Sequence, residues 1–407
     1  MANVPSSARV VIIGGGVIGC SVAYHLAKQG WKDVVLLERK QLTSGTTWHA
    51  AGLIAQLRAT ANMTKLAKYS QELYGNLEAE TGVATGFKRV GSITAALTEE
   101  RKEEIFRQAG MARAFGVEVE EISPTEVKER YEHLNIDGVT AGVYLPLDGQ
   151  GDPANIALAL AKGARDAGGR IERFCPAIGI ERDGDEWIVK THKGDIRCEK
   201  VVNCAGYYAQ RVGEMFKPFG GRTVPMVVMS HQYFLTEEIP ALAEWTKEKG
   251  HKVPLLRDVD TSYYLRQDKN GLNLGPYERN CKAHWVTPQD PMPEDFSFQL
   301  YPDDLERLEY YIEDAMARVP ILGEGGINRN INGPIPYAPD GLPMVGPMPG
   351  VKNAFEGHSF TFGIAQGGGA GKVLSEWIMH GETELDMWAV DPRRYTDFAD
   401  HDYCLSK

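Results

Sequence analysis

Arg9-Val10-Val11-Ile12-Ile13-Gly14-Gly15-Gly16-Val17-Ile18-Gly19 opens the chain and decides its fold. The apolar run behind Arg9 reads as a buried strand, and the Gly-x-Gly-x-x-Gly that follows turns into a helix expected over residues 20–28 and ended at Gly30. Gly14 permits the tight turn and Gly16 lets the backbone approach a pyrophosphate. Gly19 lets helix and strand pack closely, with the helix N-terminus facing the phosphates. A second strand, Val34-Val35-Leu36-Leu37, ends at Glu38, whose carboxylate suits a ribose 2′-hydroxyl and repels a 2′-phosphate. Strand, glycines, helix, strand and acid in this order predict a Rossmann-like dinucleotide site.

The rest of the chain is large enough to carry such a domain and more. Its 407 residues, 43% apolar and 24% charged, suggest two or three domains at about 150 residues each. A net charge of -11 repels phosphate backbones, so nucleic acid is not an expected partner, and no apolar run approaches the roughly 18 residues of a membrane span. Cys20, Cys175, Cys198, Cys204, Cys281 and Cys404 form no CxxC pair, which argues for a reducing compartment without a disulfide framework. The histidines show no HExxH or HxxH spacing, and no metal site is expected. Eight residues before the first strand are too few for a signal peptide, so a cytoplasmic location, or prior removal of a leader, is expected.

The residues after Glu38 choose between NAD and FAD. An NAD domain would continue into another strand and crossover, whereas Leu42-Thr43-Ser44-Gly45-Thr46-Thr47-Trp48-His49-Ala50-Ala51-Gly52-Leu53 is rich in small and hydroxyl side chains suited to a large planar ligand. This stretch resembles the flavin-attachment region of the dimethylglycine and sarcosine dehydrogenase family, in which a Trp-His pair carries FAD covalently on the histidine. His49 is the matching residue. The resemblance continues through Phe87-Lys88-Arg89-Val90-Gly91-Ser92, Asp148-Gly149-Gln150-Gly151-Asp152-Pro153, Val201-Val202-Asn203-Cys204-Ala205-Gly206, Ser230-His231-Gln232-Tyr233, Ser262-Tyr263-Tyr264-Leu265-Arg266, Pro339-Asp340-Gly341-Leu342-Pro343 and Phe362-Gly363-Ile364.

The resemblance implies an α/β and α+β chain of the D-amino-acid-oxidase type, with a discontinuous, mixed-sheet substrate domain. The FAD-binding part is expected at residues 1–85, 148–215 and 328–385 and the substrate part at 86–147 and 216–327. Residues 386–407 resemble a connector toward a folate-binding half. With the glycine motif, the resemblance implies cofactor contacts from Gly14, Gly16, Val17, Ile18, Gly19, Glu38, Arg39, Gly45, Thr46, Thr47, Trp48, His49, Ile178, Ala205, Gly206, Phe362, Gly363 and Ile364. It further implies catalytic roles for His231, which titrates in a useful range, and Tyr263, whose hydroxyl can orient an amine.

The implied reaction is FAD-dependent oxidative demethylation of a small N-methylated amino acid, dimethylglycine first and sarcosine or another methylated amino acid next. Electrons would pass to an electron-transfer flavoprotein or oxygen, and a folate-binding domain or subunit would follow. A flavin amino-acid oxidase on a primary amine, or a non-catalytic FAD-carrying subunit, stays open at this level. Arg257 and Arg266 flank the Tyr263 motif as candidate carboxylate partners; alternation puts Arg266 with Ser262 and Tyr264 on the face opposite Tyr263, and both arginines are left outside the expected site. The loop from Glu356 to Phe362, longer and more polar than the family pattern, either reshapes the pocket through His358 and Phe360 or bypasses it. A helix is expected over residues 372–380, led by Gly367-Gly368-Gly369-Ala370-Gly371.

Overall fold

In the computed structural model, which describes residues 4–407, the opening motif forms the centre of an eight-stranded sheet. Ser7–Ile13 pairs in parallel with Val34–Leu37 on one side and with Ile196–Asn203 on the other, and Ala354–His358 extends the parallel run. Both faces of these strands are covered, which is why they read as continuous apolar runs rather than alternating ones. Val10, Ile12, Val34 and Leu36 pack beneath helices, while Val11, Ile13, Val35 and Leu37 face a second core with Trp187 and Phe216.

The helices on the first face are Val17–Lys28, Ala61–Thr81, Pro153–Asp166 and Gly363–His380. The last begins nine residues before its expected start, because the glycine run lies inside it rather than ahead of it. An added Cβ would fall 2.4 Å from Leu66 O at Gly369 and 2.1 Å from Ser21 Oγ at Gly371. Close approach to two neighbouring helices therefore overrides the poor helix propensity of glycine. Tyr74 also inserts its hydroxyl into this helix, donating to Ile364 O at 2.8 Å and accepting from Gly368 N at 2.9 Å.

A nine-stranded mixed sheet carries Ser92–Ala96, Ala141–Leu145, Val227–Thr236, Leu255–Asp258, Tyr263–Asp268 and Gly271–Pro276. Ile327–Tyr337, expected almost entirely within the cofactor part, instead pairs along Val227–Thr236 in this second sheet. Helices Pro240–Lys249 and Glu309–Arg318 close its outer face over Phe234, Leu256 and Leu265. The inner face looks toward the first sheet, and the cavity between them is the candidate site.

Candidate functional site

A cavity of about 850 Å³ runs from the glycine motif to the inner face of the second sheet. At its first end the chain turns at Gly14 with φ +116°, where a side chain would strike Cys204 O at 2.3 Å. Gly19 serves packing, since its Cβ would lie 2.0 Å from Gly14 O, and it does not line the cavity. At Gly16 only Thr47 Oγ1 stands within reach of a Cβ, at 3.2 Å, so the backbone there is open to a ligand. Val17 N donates to that same hydroxyl at 3.1 Å, which ties the helix start to the Thr46–His49 turn.

Glu38 is buried and accepts from Gly15 N at 2.8 Å and Lys40 N at 2.7 Å. Burial pushes its carboxyl above the usual range, while these amides oppose the shift. Arg39 lies over the Tyr208 ring at 4.2 Å. Segment 286–298 of the second part crosses this end as a strap, through Lys40 Nζ to Asp295 at 2.6 Å, Arg211 to Glu294 at 3.0 Å, Phe296 N to Tyr208 Oη at 2.9 Å and Phe298 N to Ser44 O at 3.0 Å. Trp285 and Phe298, at either end of the strap, both adopt positive φ, +61° and +53°.

His49 occupies the middle of the cavity wall. Tyr233 Oη donates to its carbonyl at 2.9 Å, and Gly333 leaves room for its ring, since a Cβ there would lie 2.5 Å from His49 Cε1. Burial lowers its pKa to about 4, which keeps the imidazole neutral, and its Nε2 is buried with no protein partner. Trp48 meets the His49 ring edge-on at 5.5 Å and packs on Phe298, outside the cavity lining, so it supports His49 rather than contacting a ligand.

The far end carries the polar side chains. His231 Nδ1 lies 2.8 Å from Glu278 Oε2, and Gln232 N donates to Glu278 Oε1 at 3.0 Å. Tyr263 is a correction: it is 1% exposed and packs with Leu256 and Leu265 behind the sheet. Strand alternation turns Tyr264 inward instead, and its ring fills the space over Gly275, where a Cβ would fall 2.1 Å from it. The Tyr264 hydroxyl is buried without a protein partner.

Arg257 lines the cavity and Arg266 does not. Arg58, absent from the expected site, lines it as well, and its guanidinium lies 5.1 Å over the Phe362 ring. Burial and the neighbouring Arg257 lower the Arg58 pKa to about 10, so it stays charged at neutral pH. Among the described residues neither arginine has a carboxylate within ion-pair distance. Buried Asp148, bound by Ser92 Oγ at 2.6 Å and Gln56 N at 2.9 Å, acts on both through its field.

Of the expected cofactor residues, Gly14, Gly16, Val17, Ile18, Glu38, Arg39, Gly45, Thr46, Thr47, His49, Ile178, Ala205, Gly206, Phe362, Gly363 and Ile364 all line this one cavity. His358 and Phe360 line it too, which resolves the polar loop as part of the pocket wall. The loop is fixed from behind by buried Arg222, 3.2 Å from Glu356 Oε2, which also donates to the carbonyls of Pro392 and Tyr395. Burial alone would raise the Glu356 carboxyl, but His358 and Arg222 hold it below the usual range. Arg58, Tyr264 and Glu278 were missed, and only Tyr264 had a signal, the strand alternation beside Tyr263.

Residues 9–377 match the family described as DAO: FAD dependent oxidoreductase. The chain is 42% identical over 405 residues to the mitochondrial dimethylglycine dehydrogenase of Rattus norvegicus, covering 98% of this chain and 46% of that protein. It is 39% identical over 399 residues to the mitochondrial sarcosine dehydrogenase of Homo sapiens, covering 96% of this chain and 42% of that protein. The chain thus spans about half the length of these curated relatives. The crystal structure of L-proline dehydrogenase from P. horikoshii superposes with a TM-score of 0.82 at 26% identity, covering 96% of this chain and 98% of that one.

Proposed function

The chain belongs to the FAD dependent oxidoreductase family, and on that premise we propose that it oxidatively demethylates a small N-methylated amino acid, dimethylglycine first, with FAD held covalently at His49. The observation that carries the reading is the arrangement of the cavity's far end. Two arginines with no carboxylate in ion-pair distance among the described residues, an inward tyrosine hydroxyl and a carboxylate-bound histidine line one cavity with His49.

The cavity fits the cofactor. Gly14 and Gly16 open the backbone for a pyrophosphate, Glu38 offers an acceptor for a ribose, and neutral His49 presents an unpartnered ring nitrogen for a covalent bond. Bound FAD supplies an acceptor for a hydride equivalent from the carbon beside the amine nitrogen. Arg58 and Arg257 hold the substrate carboxylate, with buried Asp148 behind them. His231 takes the ammonium proton so that the nitrogen lone pair is free, while Tyr264 Oη orients the nitrogen or a water. Water adding to the resulting carbon–nitrogen double bond releases formaldehyde and the amine shorter by one methyl. In a longer assembly the electrons pass on to an electron-transfer flavoprotein or oxygen, and a folate-binding domain or subunit receives the one-carbon unit.

The test has two arms. Acid-precipitated holoprotein stays yellow and yields a flavin peptide containing His49, whereas colour released wholly to the supernatant removes the covalent bond. Under anaerobic conditions dimethylglycine or sarcosine bleaches the flavin and formaldehyde appears. Bleaching by primary amino acids alone, with ammonia released, overturns the demethylase reading.

A further inference from the structure

We propose that Glu278 is a positioning residue that sets the tautomer and orientation of the His231 ring, a role that rests on the reading of His231 as the group receiving the amine proton. Glu278 belongs to no motif and lies just beyond the strand Gly271–Pro276, 47 residues after His231. Its carboxylate is 1% exposed, and each oxygen has one defined partner on the strand Val227–Thr236: Oε2 meets His231 Nδ1 at 2.8 Å and Oε1 accepts from Gln232 N at 3.0 Å. The backbone bond fixes the carboxylate, and the carboxylate fixes the ring.

A carboxylate at Nδ1 accepts a hydrogen bond and cannot donate one. The neutral ring must therefore carry its proton on Nδ1 and leave the Nε2 lone pair free. Tyr277 stacks on the ring at 6.1 Å with an interplanar angle of 23°, and the imidazole lines the cavity. Glu278 never meets the substrate in this scheme and acts only through His231.

The other titratable groups around the pair come from several elements. Cys281 Sγ lies 3.9 Å from Glu278 Oε2, and Arg307 holds Ser230 Oγ at 3.2 Å beside it. Tyr277, Tyr264 and Tyr337 surround the carboxylate, and His49 faces His231 across the cavity. Burial and then Glu278 raise the Cys281 thiol to about 11, and burial lowers His49 to about 4.

Nitrogen-15 spectroscopy of histidine-labelled holoprotein, with the His231 signal assigned by its loss in His231→Gln, reads the tautomer directly and needs no substrate. The Nδ1–H form is expected, and an Nε2–H form at neutral pH overturns the proposal. Glu278→Gln keeps size and removes charge. Its flavin reduction by the amine should fall about tenfold or more, with the Nδ1–H form lost, because the amide oxygen stays with Gln232 N and the amide nitrogen then faces Nδ1. Glu278→Asp, which keeps an acceptor-only carboxylate, should restore the Nδ1–H form in part. In the His231→Gln background Glu278→Gln should cost nothing further, because both changes remove one function. An undiminished loss in that background, or an unchanged tautomer in Glu278→Gln, overturns the proposal. If no N-methylated amino acid bleaches the flavin, the demethylase reading falls, while the tautomer still decides the role of Glu278.

Discussion

Gly333 is the residue that makes room for His49, and a single methyl group there is the sharpest perturbation the site offers. In Gly333→Ala the new Cβ would lie 2.5 Å from His49 Cε1 and 2.6 Å from Nδ1, both ring atoms that cannot give way without moving the imidazole. The protein is expected to fold and bind FAD while losing most of its covalent flavin, as measured by the flavin left in acid-precipitated protein. At this scale the sequence was legible wherever chemistry was local. The glycines and Glu38 lie within one strand–helix–strand unit, residues 9–38, so their order and spacing carry the dinucleotide reading, whereas the meaning of Trp48-His49 comes from the family resemblance. Tyr263 and Tyr264 show the limit: alternation separates their faces, but only packing against the second core tells which face is the inside. Arg58 reaches the cavity, and Glu278 the ring of His231 behind it, from segments with no periodic or motif signal.

Among elements, the helix Gly363–His380 departs furthest from what its sequence suggests. Four glycines within Gly367–Gly371 predict a loop by propensity, yet they are the contact surface for Val17–Lys28 and Ala61–Thr81. In Gly369→Ala the Cβ meets Leu66 O at 2.4 Å, a backbone atom, so overpacking outweighs the gain in helix propensity. A loss of about 1–3 kcal/mol is expected, read as a lower urea midpoint at unchanged slope. The boundaries of the central strands were readable because burial on both faces leaves an unbroken apolar run. The strand Ile327–Tyr337 was assigned to the wrong part because sheet membership depends on its partner, Val227–Thr236, about a hundred residues earlier.

For the whole molecule, acid stability is where buried histidines speak. His25, on the first helix, bonds Ser21 O through Nδ1 at 2.7 Å and Tyr69 Oη through Nε2 at 2.9 Å, and burial lowers its pKa to about 4. Above pH 6.5 it is neutral folded or unfolded and adds no pH dependence. Between 6.5 and 4 the unfolded chain takes up a proton that the native state refuses, so stability falls as pH falls. Relative to wild type, His25→Gln should lose less stability across this window, by on the order of 3 kcal/mol at its acid end, measured by urea unfolding of the flavin-free protein. The resemblance implies a two-part architecture, while no sequence signal marks the closure of one part over the other. That closure runs through the strap 286–298, tethered to Lys40, Arg211, Tyr208 and Ser44. A dinucleotide held from the glycine turn would meet this strap, whose Glu294, Asp295 and Ser297 line the same cavity, so seating of the cofactor and docking of the strap would stabilise one another by mass action.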